Sequence, residues 1–102
     1  MTDTIAAHTA SLSWAEQTRP QRVDALMWVA ERAHILADAY AVRIGASWQG
    51  PEVTLQGEFR ALARLVQMFD AIPDASNRSE SYRCWVATVD GVTVHMIEEA
   101  AK

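Results

Sequence analysis

Two apolar-rich runs, Tyr82 to Val89 and Val92 to Ile97, flank the dipeptide Asp90-Gly91, and this arrangement constrains the fold more than any other feature of the chain. Asp-Gly favours a two-residue type I′ turn, because both central residues need positive φ, and such a turn fixes the register of the strands on either side. Counting outward pairs Val89 with Val92, Ala87 with Val94, Trp85 with Met96 and Arg83 with Glu98. Six of these side chains are apolar and all share one face, so that face belongs against a core, with Arg83 and Glu98 as an ion pair at the open end. The opposite face carries Tyr82, Cys84, Val86, Thr88, Thr93, His95 and Ile97, a mixture suited to partial exposure or to a second contact.

A lone hairpin is marginal in water, so the rest of the chain must supply a third strand or a covering helix. Glu52-Val53-Thr54-Leu55-Gln56 alternates apolar and polar residues, which predicts a strand with Val53 and Leu55 turned inward and Gly57 closing it. Phe59, Leu62, Ala63, Val66 and Phe69 then recur at helical spacing, predicting a helix from Glu58 to Asp70 with Arg60, Arg64 and Gln67 on its wet side and Pro73 as the stop. Residues 74–81 are polar and aperiodic and read as a loop. The order strand, helix, strand, strand predicts a β-α-β-β unit over residues 52–98, with a small three-stranded sheet to which the Val53–Leu55 strand adds at either hairpin edge.

The first half reads as helical. Val23, Leu26, Met27, Ala30, Ala33, Ala37, Tyr40, Ala41 and Ile44 are spaced by three and four, predicting one helix from Pro20 to Ile44, with Pro20 in its first turn and Gly45 as its stop. Trp28, Val29, Ile35, Leu36 and Val42 lie off that stripe, so the helix is apolar over more than half its circumference, more than one domain face covers. A weaker helix from Thr4 to Gln17, with Ile5, Leu12 and Trp14, is expected to fold back through Arg19-Pro20 as an αα-hairpin. The expected fold class is therefore α+β: a single domain of 102 residues with a helical arm over 1–45 and the β-α-β-β unit behind it.

Composition narrows the function. Half the residues are apolar and 22% are charged, a globular balance. The net charge is −4 and no run of Lys or Arg occurs, so neither nucleic acid nor a membrane is expected as a partner. Cys84 is the single cysteine, which leaves no intrachain disulfide. Met1-Thr2-Asp3-Thr4 lacks a positive leader region, and no apolar run reaches the ~18 residues of a membrane span, so a cytoplasmic location is expected.

Candidate chemistry is sparse. Glu31-x-x-His34, with Asp38 a turn further on, has the spacing of carboxylate-bridged metal sites in helix bundles, and a metal-binding helical protein using Glu31 and His34 is one alternative reading. Such sites need further Glu ligands from facing helices; this chain has one such motif, and the same residues suit a solvated helix side. Cys84 and His95 share a sheet face, yet no helix N-terminus or oxyanion feature accompanies them. The sequence holds no Gly-rich phosphate loop, no G-x-S-x-G elbow, no zinc spacing and no dinucleotide fingerprint, so no enzyme activity, catalytic residue, metal or cofactor is expected.

Val53-Thr54-Leu55-Gln56 leading into Glu58-Phe59-Arg60, followed by an aromatic strand and Val89-Asp90-Gly91-Val92, resembles uncharacterised small proteins of actinobacteria and their bacteriophages over the last half of the chain. That resemblance implies a phage-derived setting and a host protein as a partner to be modulated, and no activity. Trp48-Gln49-Gly50 after a long helix resembles the W-x-G turn of the small helical-hairpin proteins exported by specialised actinobacterial secretion systems, a second alternative. Those proteins need a second long helix after the turn, whereas a strand-like segment follows here.

Trp14, Trp28, Trp48 and Trp85 are more large aromatics than a core of this size easily encloses, at ~150–250 Å² each. Together with the excess apolar helix they point to a non-enzymatic protein-interaction module, most simply a homodimer, in contact through Trp28, Met27, Leu36 and Tyr40.

Overall fold

The structure is a computed structural model that describes residues 13–75 and 79–100. Helix α1 (Trp14–Gln17) is followed by helix α2 (Arg19–Arg32), a 3₁₀ turn (Leu36–Asp38), strand β1 (Ala41–Ser47), strand β2 (Gly50–Gly57), helix α3 (Ala63–Met68), strand β3 (Ile72–Pro73), strand β4 (Tyr82–Val89) and strand β5 (Val92–Glu99). The five strands form one open sheet in the order β1-β2-β5-β4-β3. Strands β1–β2, β4–β5 and β3–β4 pair antiparallel, and β2 runs parallel to β5.

The C-terminal hairpin has the register that its turn dictates: Val89 opposite Val92, Ala87 opposite Val94, Trp85 opposite Met96 and Arg83 opposite Glu98. Asp90 and Gly91 both hold positive φ, 50° and 80°. Strand β2 joins the β5 edge of this hairpin, with Val53 beside Val94 and Leu55 beside Met96, so the inner face becomes a continuous apolar floor.

Mixed α and β structure is present, but the sheet is larger than the three strands expected, because two edge strands join it. Strand β3 is only Ile72 and Pro73, and a proline is compatible with an edge, where one backbone side needs no donor. Strand β1 replaces the last part of the helix expected over 20–44. Val42, Ile44 and Ala46 also fit a period of two, and the turn at Trp48-Gln49 brings them opposite Leu55, Val53 and Pro51, where pairing with β2 wins over helical propensity. Helix α2 stops at Arg32; beyond it the bonds tighten to Ile35 N–H→Arg32 C=O (2.9 Å) and Leu36 N–H→Ala33 C=O (3.2 Å).

The expected αα-hairpin is also absent where it can be seen. Thr18 continues the helical bonding, donating to the Trp14 carbonyl and accepting from Arg22 N–H, both at 3.0 Å, so α1 runs on into α2. Ser13 caps the entry by accepting from Glu16 N–H at 3.2 Å. The part of that helix expected over residues 4–12 lies outside the described residues.

The helix expected over 58–70 contracts to α3. Arg60 (φ 64°) breaks its start and Asp70 (φ 53°) its end, and Phe59, expected inward, is exposed with the Arg60 guanidinium 4.9 Å over its ring. Glu98, expected to pair with Arg83, instead lies 2% exposed and accepts a 3.1 Å hydrogen bond from Leu62 N–H, anchoring the segment before α3 to β5. Gly57 sits opposite Glu98, and a Cβ there would lie 2.8 Å from the Leu62 side chain, so a larger residue would push the buried Leu62 from its place over the sheet. Arg83 stacks on Trp85 at 5.1 Å.

The core lies between the inner sheet face (Val53, Leu55, Ala87, Val92, Val94, Met96) and a cover of Ala25, Trp28, Leu36, Leu62 and Leu65. Trp28 is its largest anchor: the indole Nε1 donates to the Val89 carbonyl at 3.1 Å, and the ring meets Phe69 at 5.7 Å, tilted by 56°. Arg32 lies 4.5 Å over the Trp28 ring and pairs with Asp90, which ties the end of α2 to the β4–β5 turn. Among the described residues no helix is long and apolar enough to cross a membrane.

Candidate association surface

Of the four residues expected at a contact surface, the structure divides two from two. Trp28 and Leu36 are buried in the subunit's own core and cannot reach a partner, a correction with two causes: α2 turns its Ala25 and Trp28 side to the sheet in place of the Val23, Leu26 and Met27 stripe, and the 3₁₀ turn after it folds Leu36 inward. Met27 and Tyr40 are exposed, but on different parts of the molecule. Met27 is on α2 beside a groove against the β4–β5 turn. Tyr40 precedes β1, and its hydroxyl donates to a Glu99 carboxylate oxygen at 3.4 Å. Partial desolvation and then the Glu99 carboxylate raise the phenol's pKa, keeping it a neutral donor.

Helix α2 presents Ala25 and Trp28 to the sheet, with Val29 and Arg32 at its flanks. At 100° per residue from the Ala25 and Trp28 side, Val23 and Ala30 fall on its far side and Leu26 between the far side and one flank; all three are exposed, Leu26 by 56%. The other flank is fixed by the groove that Asp24, Met27 and Glu31 form with Pro51, Asp90 and Val92. That groove faces β5. The flank toward which Leu26 leans therefore faces the opposite way, toward β1, over which α2 also packs.

Strand β1 is the longer of the sheet's two edge strands among the described residues; the other, β3, is Ile72 and Pro73. Val42 and Ile44 point to the inner face with Leu55 and Val53, yet each keeps 38% of its surface, because α2 covers them from one side only. Apolar surface from two elements is thus gathered at one margin of the molecule. The signal for it was present in the chain as the period-two set Val42, Ile44 and Ala46, which helical spacing over 20–44 masked.

The remaining motifs do not assemble. Glu31 lies at the end of α2 with its carboxylate 3.5 Å from Arg32, and His34 and Asp38 fall in the turns beyond; among the described residues no three His, Cys, Asp or Glu side chains are placed to hold a metal ion. Cys84 lies on the rim of a cleft of about 550 Å³ lined also by Pro73, Asp74, Glu80, Tyr82 and Arg83. Burial, and then the Asp74 carboxylate, push the thiol's pKa up, the reverse of what a nucleophile needs. His95 turns to Glu52 at 3.4 Å on the outer face instead of to Cys84. Trp48, 86% exposed, sits at the tip of a β-hairpin, so the W-x-G tripeptide turns between two strands and not between two helices.

Comparison with protein-family models, with curated proteins and with solved structures finds no match to this chain.

Proposed function

We propose that the chain is a non-enzymatic protein-association domain that acts as a homodimer. The observation that supports this reading is exposed apolar surface from two elements at one margin: Leu26 on α2, and Val42 and Ile44 on β1, the last two aligned with the core face of the sheet. Exposed apolar side chains gathered at one margin are a usual sign of an interface in a folded domain. Trp28 and Leu36 stabilise the subunit, and the contact falls to their exposed neighbours.

Sedimentation equilibrium over about 1–100 µM, the range in which an interface of roughly 800 Å² per partner is commonly populated, is expected to show a dimer. Leu26→Glu places a charge in the contact and is expected to shift the equilibrium to monomer with the circular dichroism spectrum unchanged, since Leu26 has no core role. A wild-type monomer at every concentration ends the proposal.

A further inference from the structure

The outward backbone groups of β1 can be assigned. Ser47 and Gly50 close a two-residue turn, so theirs is a hydrogen-bonded pair, and the ladder to β2 continues through Gly45, Arg43 and Ala41. Pro51, which has no N–H to give, sits opposite Ala46, as this alternation requires. Tyr40 N–H also reaches the Gln56 carbonyl at 2.9 Å, where Ala41 pairs. Val42, Ile44 and Ala46 therefore direct both N–H and C=O away from the sheet, at an edge with no proline, no bulge among these three and a single charge, Arg43.

We infer that this edge pairs antiparallel with β1 of a second copy, about a two-fold axis through Ile44, joining two five-stranded sheets into one continuous sheet. The inference rests on the association reading above and specifies its geometry. A two-fold axis normal to the sheet keeps each strand's inner face on the same side, so residues meet inner to inner and outer to outer. Centred on Ile44, the axis sets Ile44 opposite the partner's Ile44 and Val42 opposite the partner's Ala46, and each of the three outward residues gives one hydrogen bond and takes one. On the outer face Arg43 falls opposite the partner's Gly45, so its charge meets open space. Centred on Arg43, the two guanidinium groups would face each other, which is destabilising. Centred on Gly45, Val42 would run past the end of the partner's strand into its turn. Only one register satisfies both the hydrogen bonds and the charge, and a second copy is the occupant it fits.

The helices agree. Helix α2 packs over β1 and β2, so pairing β1 with its copy would bring the two α2 helices to neighbouring places over the joined sheet. The sides of the two α2 helices toward which Leu26 leans would then face each other across the two-fold. The exposed remainder of Val42 and Ile44 would lie beneath that contact.

Nitroxide labels test the arrangement in a Cys84→Ser background. Labels at Arg43→Cys should be strongly dipolar-broadened in the dimer, since the two Cα positions would be about 8 Å apart. Labels at Thr88→Cys, on β4 and three strands away from β1, should be more than about 30 Å apart and unbroadened. Ala46→Pro removes an outward N–H from each chain without disturbing the ladder to β2, and should raise the dimer dissociation constant by about tenfold or more. A dimer without broadening at position 43, or one indifferent to Ala46→Pro, overturns the edge pairing and leaves the association reading standing. A monomer overturns both.

Discussion

The sheet contains two long hairpins built on the same alternation, and they differ in what their neighbours do. In β4–β5, strand β5 is flanked by β4 and β2, and its inward residues Val92, Val94, Met96 and Glu98 are all buried. In β1–β2, strand β2 is flanked on both sides and buries Val53 and Leu55, while β1 has one neighbour and leaves Val42 and Ile44 more than a third exposed. The pattern in the chain is equivalent; the burial is not. An inner-face residue is dry only when strands lie on both sides and a helix lies above, so apolar alternation on an edge strand is a demand for cover that the subunit itself meets in part.

That contrast is most directly broken by truncating equivalent side chains. Met96→Ala removes a fully buried side chain between β2 and β4 and is expected to destabilise the monomer by about 2–5 kcal/mol in urea unfolding. Val42→Ala, on the same face but at the edge, should cost less than about 1 kcal/mol under monomeric conditions. Equal losses at the two positions would mean that β1 is covered within the subunit and that the contrast is false.

Glu98 sharpens the comparison from the polar side. The buried carboxylate holds Leu62 N–H, so Glu98→Ala leaves that donor without its acceptor and is expected to cost about 1–3 kcal/mol. Glu98→Gln keeps a carbonyl oxygen in place and should recover most of the loss. If both variants are equally unstable, the charge and not the hydrogen bond anchors the segment before α3.

The C-terminal hairpin was legible in the sequence because one dipeptide, Asp90-Gly91, sets the register of everything on either side of it. The inward direction of Val53 and Leu55 was legible for a similar reason, a short alternation bounded by glycines. The segment 33–47 was not, since Tyr40, Ala41 and Ile44 continue the helical spacing while Val42, Ile44 and Ala46 fit an extended one, and only the tertiary pairing with β2 decides between them. The same ambiguity hid the association surface: a 25-residue helix appeared to carry the excess apolar area, when a 14-residue helix and an edge strand share it. Glu98 as an anchor for Leu62 had no sequence signal, because the two are brought together only by the parallel pairing of β2 with β5.

The smallest expected effect lies at the hairpin tips. In β4–β5 the tip is tied down: Arg32 pairs with Asp90, and the Val89 carbonyl before the turn accepts from Trp28. At the β1–β2 tip, Trp48 is the most exposed large hydrophobic side chain among the described residues, and the Ser47 hydroxyl holds the turn locally by accepting from Gln49 N–H at 3.1 Å. Trp48→Ala should therefore change monomer stability by no more than about 0.5 kcal/mol, because it removes no buried contact. Its fluorescence should report water contact in the monomer. In a dimer joined through β1 about Ile44 the two tips lie at opposite ends of the seam, each two residues beyond the last paired position and opposite the partner's Tyr40, so the emission of Trp48 should shift less on association than that of a side chain within the seam. A marked blue shift of that tryptophan on dimerisation would place the hairpin tip inside the contact and shift the seam away from Ile44.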